Sequence, residues 1–124
     1  MSERKKVLIV EDDKAILDMY VERFKKENLE VVIANDGEEA LEKALRELPN
    51  VILLDLLLPK KGGLSVLEVL KSQPETRDIP VVIATAYPRD EYREKSTRNG
   101  ATMFLSKSES MPGEVVEKVK EVMR

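Results

Sequence analysis

Short unbroken apolar runs alternate along this chain with longer stretches in which apolar residues return at helical spacing. The first run, Val7-Leu8-Ile9-Val10, stops at the acids Glu11-Asp12-Asp13. Ile16, Leu17, Tyr20, Val21 and Phe24 then recur three and four apart, which predicts a helix with Asp13 as N-cap and Asn28 near its stop. Glu30 to Ala34 predicts a second strand. Asn35-Asp36-Gly37 turns the chain into a second helix, with Ala40, Leu41, Ala44, Leu45 and Leu48 on its inner face and Pro49 ending it. A third apolar run leads to Asp55, and Pro59 closes it. After Gly62-Gly63, Leu64, Leu67 and Leu70, widened by Val66 and Val69, mark a third helix that ends around Ser72 to Pro74. Val81 to Ala84 is a fourth strand, and Tyr87-Pro88 leads into a weakly amphipathic helix from about Arg89 to Arg98, stopped by Asn99-Gly100. Thr102 to Leu105 predicts the fifth strand. Pro112 opens the last helix, with Val115, Val116, Val119, Val122 and Met123 inward.

Five strands alternating with five helices define the class. Strands apolar on both faces and joined through helices imply a parallel sheet covered on both sides, hence a doubly wound α/β fold. No repeat or linker interrupts the 124 residues, so one domain over 1–124 is expected, with no output module after the fifth helix.

Composition narrows the chemistry. Apolar content of 42% with 36% charged residues describes a soluble globular protein, and a net charge of −3 lacks the basic footprint of a nucleic-acid binder. Cysteine is absent, which removes disulfides and thiolate sites. Histidine is absent as well, which excludes Ser-His-Asp catalysis, imidazole metal sites and phosphohistidine on this chain. The charged N-terminus precedes only four apolar residues before Glu11, too few for a signal peptide or a membrane span, so a cytoplasmic location is expected.

What remains is carboxylate, hydroxyl, lysine and arginine. Asp55 is a lone acid inside Asn50-Val51-Ile52-Leu53-Leu54-Asp55-Leu56-Leu57-Leu58-Pro59, a costly place unless it is paired. No helical pattern starts directly after it, which weakens the alternative of a simple N-cap. Ligands of doubly wound sheets bind outside the carboxyl ends of the strands. Those ends carry Glu11-Asp12-Asp13, Asp55, Thr85-Ala86 and Ser106-Lys107-Ser108. Carboxylates crowded there repel one another, and a hard divalent cation with oxygen ligands, Mg²⁺ first among them, resolves the conflict.

The motifs Val-Leu-Ile-Val-Glu11-Asp12-Asp13, Leu-Leu-Asp55-Leu-Leu-Leu-Pro59-Lys-Lys-Gly-Gly63, Ile-Pro-Val-Val-Ile-Ala-Thr85-Ala86 and Gly-Ala-Thr-Met-Phe104-Leu-Ser-Lys107 resemble the receiver domain of bacterial response regulators, the CheY-like family. The resemblance runs from about Lys5 to the C-terminus. It implies a flavodoxin-like strand order of 2-1-3-4-5 and a stand-alone phosphoacceptor that is not an enzyme. Asp55 would accept a phosphoryl group from a histidine kinase or phosphotransferase. Asp12, Asp55 and the backbone carbonyl of Leu57 would hold Mg²⁺, with Glu11 supporting it directly or through water. Thr85 would bond the phosphoryl group, Lys107 would pair with it, and the ring of Phe104 would turn inward when Thr85 moves. A downstream protein would read the fourth helix, fifth strand and fifth helix. The resemblance implies neither nucleic-acid binding nor membrane insertion, and a monomer or a weak phosphorylation-dependent dimer.

Three positions depart from the family pattern. Ser108 replaces the usual proline, and because a non-proline cis bond costs about 2.5–4 kcal/mol, a trans Lys107–Ser108 bond and a looser loop are expected. Gly62 stands where an acid is common, beside the basic pair Lys60-Lys61. Phe104 lacks the hydroxyl of the common tyrosine. Leu57 and Tyr87, two residues beyond Asp55 and Thr85, flank the approach of water and are expected to prolong the phosphoaspartate. Asp13 reads as a cap, and Arg89, Arg93 and Arg98 as a solvated face.

The competing class is a pseudo-receiver, an interaction adaptor that does not use phosphorylation. A haloacid-dehalogenase phosphatase would need a second Asp where Leu57 stands. A flavodoxin would need a hydroxyl-rich phosphate loop after the first strand.

Overall fold

Each apolar run becomes a strand of one parallel sheet. A computed structural model describes residues 4–58, 62–109 and 112–123. Its strands are β1 (Lys6–Val10), β2 (Glu30–Ala34), β3 (Val51–Leu54), β4 (Val81–Thr85) and β5 (Met103–Ser106). Helices α1 (Lys14–Lys26), α2 (Gly37–Glu47), α3 (Gly63–Ser72), α4 (Asp90–Arg98) and α5 (Pro112–Val122) alternate with them. Pro59 and the basic pair Lys60-Lys61 lie outside the described residues.

The sheet order is β2-β1-β3-β4-β5 with every pairing parallel, as the resemblance implies. Alternate residues of each strand enter two separate cores. Leu8, Val10, Ile52, Leu54, Val81 and Ile83 join Ala40, Ala44, Val66, Leu67 and Leu70 on the side covered by α2 and α3. Val7, Ile9, Val51, Leu53, Val82 and Ala84 join Leu17, Tyr20, Phe24, Val115, Val116 and Val119 under α1 and α5. Both faces of the three central strands are therefore dry, which is why Val7–Val10, Val51–Leu54 and Val81–Ala84 carry no polar residue.

The helix starts follow from local hydrogen bonding. Asp13 accepts from the N–H of Ile16 at 3.1 Å, the capping role its sequence position suggests. Asp36 caps α2 through the N–H of Glu39 at 2.9 Å, while Glu39 reaches back to the N–H of Asn35 at 2.8 Å.

One expectation fails on α2. Leu45 and Leu48 are 41% and 55% exposed and do not face the core. Ala40 and Ala44 form the buried stripe, with Leu41 half-buried beside them. The helix ends at Glu47, and Leu48 leaves it in the left-handed region (φ 43°), one residue before the buried Pro49. That reversal turns the Leu48 side chain out of the helical stripe. Strand limits move less: β4 extends to Thr85, and β5 starts at Met103 and ends at Ser106. No helix among the described residues is long and apolar enough to cross a membrane.

Candidate functional site

The parallel ladder continues one residue past several strands, and those residues build the site. The N–H of Glu11 donates to the carbonyl of Ala34 (3.1 Å), that of Asp55 to Val10 (3.1 Å) and that of Lys107 to Thr85 (2.8 Å). The neighbouring strands β1 and β3, and β5 one strand beyond, with β4 between it and β3, thus place polar side chains on one edge of the sheet.

Glu11 and Asp55 are buried, Thr85 is fully buried, and Asp12 is exposed. Carboxylate oxygens of Glu11, Asp12 and Asp55 lie within 4.8 Å of one another. The Lys107 ammonium enters the same hollow, 2.5 Å from Oε1 of Glu11 and 3.4 Å from Oδ2 of Asp55. The other oxygen of Glu11 accepts from the N–H of Asp13 at 3.1 Å. Backbone donors orient the two central side chains: the N–H of Leu57 bonds Oδ1 of Asp55 (3.2 Å), and that of Tyr87 bonds Oγ1 of Thr85 (3.1 Å). The acids, the threonine and the lysine expected at the site therefore lie along one sheet edge, and the acids and the lysine meet in one hollow.

Burial pushes the Glu11 carboxyl above the ordinary carboxylate range. The hydrogen bond and charge of Lys107 offset this only in part, and the charge of Asp55 adds to it. Burial pulls the Lys107 ammonium down, but the hydrogen bond to Glu11 and the charges of Asp55 and Glu11 outweigh it and hold it above the usual lysine value. One cation serves two buried acids, with a third acid alongside. An all-oxygen donor set with that excess of negative charge fits a hard divalent cation such as Mg²⁺.

Asp13 caps α1, as expected, and one switch expectation needs correcting. Phe104 is already buried, packed in the core beneath α4, with the guanidinium of Arg93 4.7 Å from its ring centroid and 3.4 Å from its carbonyl oxygen. An inward turn from a solvent position is not available to a ring that starts inside. Arg93 is accordingly not a merely solvated charge, a role that its sequence position did not reveal.

The Lys107–Ser108 bond is trans, like every peptide bond among the described residues. The expected looser loop is corrected: Ser106 and Ser108 share a hydroxyl hydrogen bond of 2.9 Å, and the N–H of Glu109 donates to the carbonyl of Ser106 at 3.3 Å. The serine that replaces proline closes the turn it was expected to loosen.

Gly63 is a further residue of the site. A Cβ there would overlap the carbonyl oxygen of Asp55 and sit 2.5 Å from Cα of Leu56, and the Gly63 N–H donates to the carbonyl of Leu56 at 2.9 Å. Only glycine lets α3 begin against the Asp55 backbone. The Gly-Gly pair signalled a break in the chain, but not this close approach.

Comparison with known proteins identifies the family. The response regulator receiver domain profile matches residues 7–120. The chain is 36% identical to the phosphate regulon transcriptional regulatory protein PhoB of Klebsiella pneumoniae, over 97% of this chain and 52% of that protein. It is 33% identical to the polar-differentiation response regulator DivK of Brucella anthropi, over 87% of this chain and 88% of that protein. It thus spans about half the length of PhoB and most of DivK. Among solved structures, a CheY-like receiver domain protein from Methanospirillum hungatei superposes with a TM-score of 0.90 at 32% identity, covering 98% of this chain and 94% of that one. With its sheet order, its acidic hollow and residues 7–120 all accounted for, the chain belongs to the response regulator receiver domain family of two-component signalling.

Proposed function

We propose that Asp55 is the phosphoacceptor, taking a phosphoryl group from a histidine kinase or phosphotransferase. The observation that carries this reading is the convergence of three carboxylates within 4.8 Å around a site that also receives the Lys107 ammonium, 3.4 Å from Asp55. A carboxylate oxygen of Asp55 attacks phosphorus, and the bond from phosphorus to the donor atom breaks with its electron pair on the donor. Lys107 pairs with the new negative charge, and the Thr85 hydroxyl, held at the adjoining strand end, bonds a phosphoryl oxygen.

Receiver domains bind Mg²⁺ at an acidic pocket. Here Asp12, Asp55, the carbonyl of Leu57 and, directly or through water, Glu11 would hold it. When bound, the ion neutralises charge on the phosphoryl oxygens.

The phosphoryl group, carrying about −1.5 to −2 where the carboxylate carried a single negative charge, draws on Lys107 and Thr85. The surface of α4, β5 and α5 changes with them and is read by a protein partner. Arg93 lies on that surface with its guanidinium over the buried Phe104 ring, so the part of this contact that a partner meets is the arginine.

Mg²⁺-dependent labelling by acetyl phosphate, lost in Asp55→Asn, is the expected result. A chain that takes no label under those conditions would be the pseudo-receiver adaptor instead.

A further inference from the structure

Lys107 acts from a distance. Its backbone follows the end of β5, two strands from Asp55 at the end of β3 and three from Glu11 at the end of β1. Three strand spacings come to about 14 Å, and both the lysine and the glutamate side chains are needed to close that gap. The ammonium still lies 2.5 Å from Glu11 and 3.4 Å from Asp55. A point charge on a flexible four-carbon stem keeps two such contacts only when the backbone it starts from is fixed.

Three hydrogen bonds fix that backbone. The Lys107 N–H donates to the carbonyl of Thr85 at 2.8 Å, and the Glu109 N–H donates to the carbonyl of Ser106 at 3.3 Å. The third joins the residues on either side of the lysine, the hydroxyls of Ser106 and Ser108, at 2.9 Å. Ser106 is buried and Ser108 exposed, so this bond ties the turn that carries Lys107 to the interior of the sheet edge. A proline at 108 would stiffen the chain through its ring; here a hydrogen bond between side chains restrains it.

We propose that Ser106 and Ser108 form a clasp that positions Lys107 for phosphoryl transfer. Both serines act through the lysine, and the proposal rests on Asp55 being the phosphoacceptor with Lys107 as its charge partner.

The test is Mg²⁺-dependent labelling of Asp55 by acetyl phosphate in the intact chain. Ser106→Ala is the primary variant, because it leaves only the exposed Ser108 hydroxyl without its partner, within reach of water. Ser108→Ala strands a buried hydroxyl and is the second. Each is expected to slow labelling about fivefold, the worth of one neutral hydrogen bond. The double variant is expected to be no slower than either single one, because the two share that bond. Ser108→Thr keeps the hydroxyl and is expected to keep the wild-type rate. In a Lys107→Met background, Ser106→Ala is expected to change the remaining rate by less than twofold.

A second readout needs neither metal nor donor. In chelator, nitrogen-15 spectra follow exchange of the Lys107 ammonium protons with water, which the contact with Glu11 slows. Ser106→Ala is expected to speed that exchange several-fold.

A labelling rate within twofold of wild type in Ser106→Ala overturns the proposal. So does a loss that persists in the Lys107→Met background, or one that appears with unchanged ammonium exchange, since the serines would then act on the fold and not through the lysine. Wild-type protein that takes no label overturns the phosphoacceptor reading, and the clasp's role in transfer with it.

Discussion

Lys107 and Glu11 stand 96 positions apart in sequence, yet the ammonium of one lies 2.5 Å from the carboxylate of the other at the carboxyl edge of the sheet. This pair holds a buried acid next to Asp55, and removing the cation leaves both acids facing each other. Lys107→Met is expected to cost about 2 kcal/mol, below the roughly 3–5 kcal/mol for breaking a fully buried pair because the lysine keeps some contact with solvent. Thermal unfolding in chelator should show this as a Tm lower by roughly 8 °C. Added Mg²⁺ should raise the Tm of the variant more than that of wild type, because the ion then relieves a larger repulsion. An equal response in the two proteins would mean that Lys107 does not balance these acids.

Gly63 sets where α3 may begin. A methyl group there overlaps the Asp55 carbonyl and crowds Cα of Leu56, both backbone atoms that cannot swing aside. Gly63→Ala is expected to destabilise the fold by about 2 kcal/mol. It should also slow Mg²⁺-dependent labelling of Asp55 by acetyl phosphate, since the loop that carries Leu57 must shift. Gly62→Ala has no neighbour within 4 Å to meet and serves as the control. Matching rates in the two variants would remove Gly63 from the site.

The strands and their order of appearance were legible because apolar runs buried on both faces leave no other reading. The site was legible for a related reason: the first polar residue after such a run stands at the sheet edge. Contacts set by three-dimensional neighbours were not legible. Nothing in the periodicity of α2 shows that Leu48 exits left-handed, or that two alanines suffice to seat the helix. Arg93 reads as one charge among several on a polar helix until β5 brings Phe104 beneath it. Ser108 reads as a missing proline until its hydroxyl meets that of Ser106.

Leu57 and Tyr87 are bulky walls of one groove at the positions two beyond Asp55 and Thr85, and neither is an acid or an amide. A phosphoaspartate lasting minutes or longer is the expected consequence. Leu57→Asn supplies an amide that can position water, and should shorten the lifetime by about tenfold. Decay can be followed after the donor is removed. A wild-type half-life of seconds, unchanged in Leu57→Asn, would refute the shielding role.

Arg93 covers the Phe104 ring with its guanidinium and reaches the carbonyl of the same residue. At a site this exposed the contact is worth about 0.5–1 kcal/mol. Arg93→Ala should lower Tm by roughly 2–4 °C, and Arg93→Lys should recover only part of it, because a compact ammonium lacks the planar fork. Full recovery by lysine would show that charge alone, and not stacking, matters there.

The Lys6 ammonium joins Glu47 at 3.0 Å and Glu30 at 3.4 Å, linking β1, β2 and the end of α2. The hydrogen bond and charge of Lys6 hold the Glu47 carboxyl below its ordinary value. The folded protein therefore binds that proton less readily than the unfolded chain. The stability this contributes is complete above the unfolded glutamate value of about 4.3 and is lost as pH falls through the lower folded value. Glu47→Gln should melt below wild type at neutral pH, and the gap should close as acid protonates the wild-type carboxylate. The Lys6 ammonium, raised chiefly by its hydrogen bond to Glu47, stays charged throughout that window, so the closing gap reports Glu47 alone. Melting curves of both proteins from pH 7 downward check this, and a gap that persists undiminished in acid would show that the pair contributes through packing and not through charge.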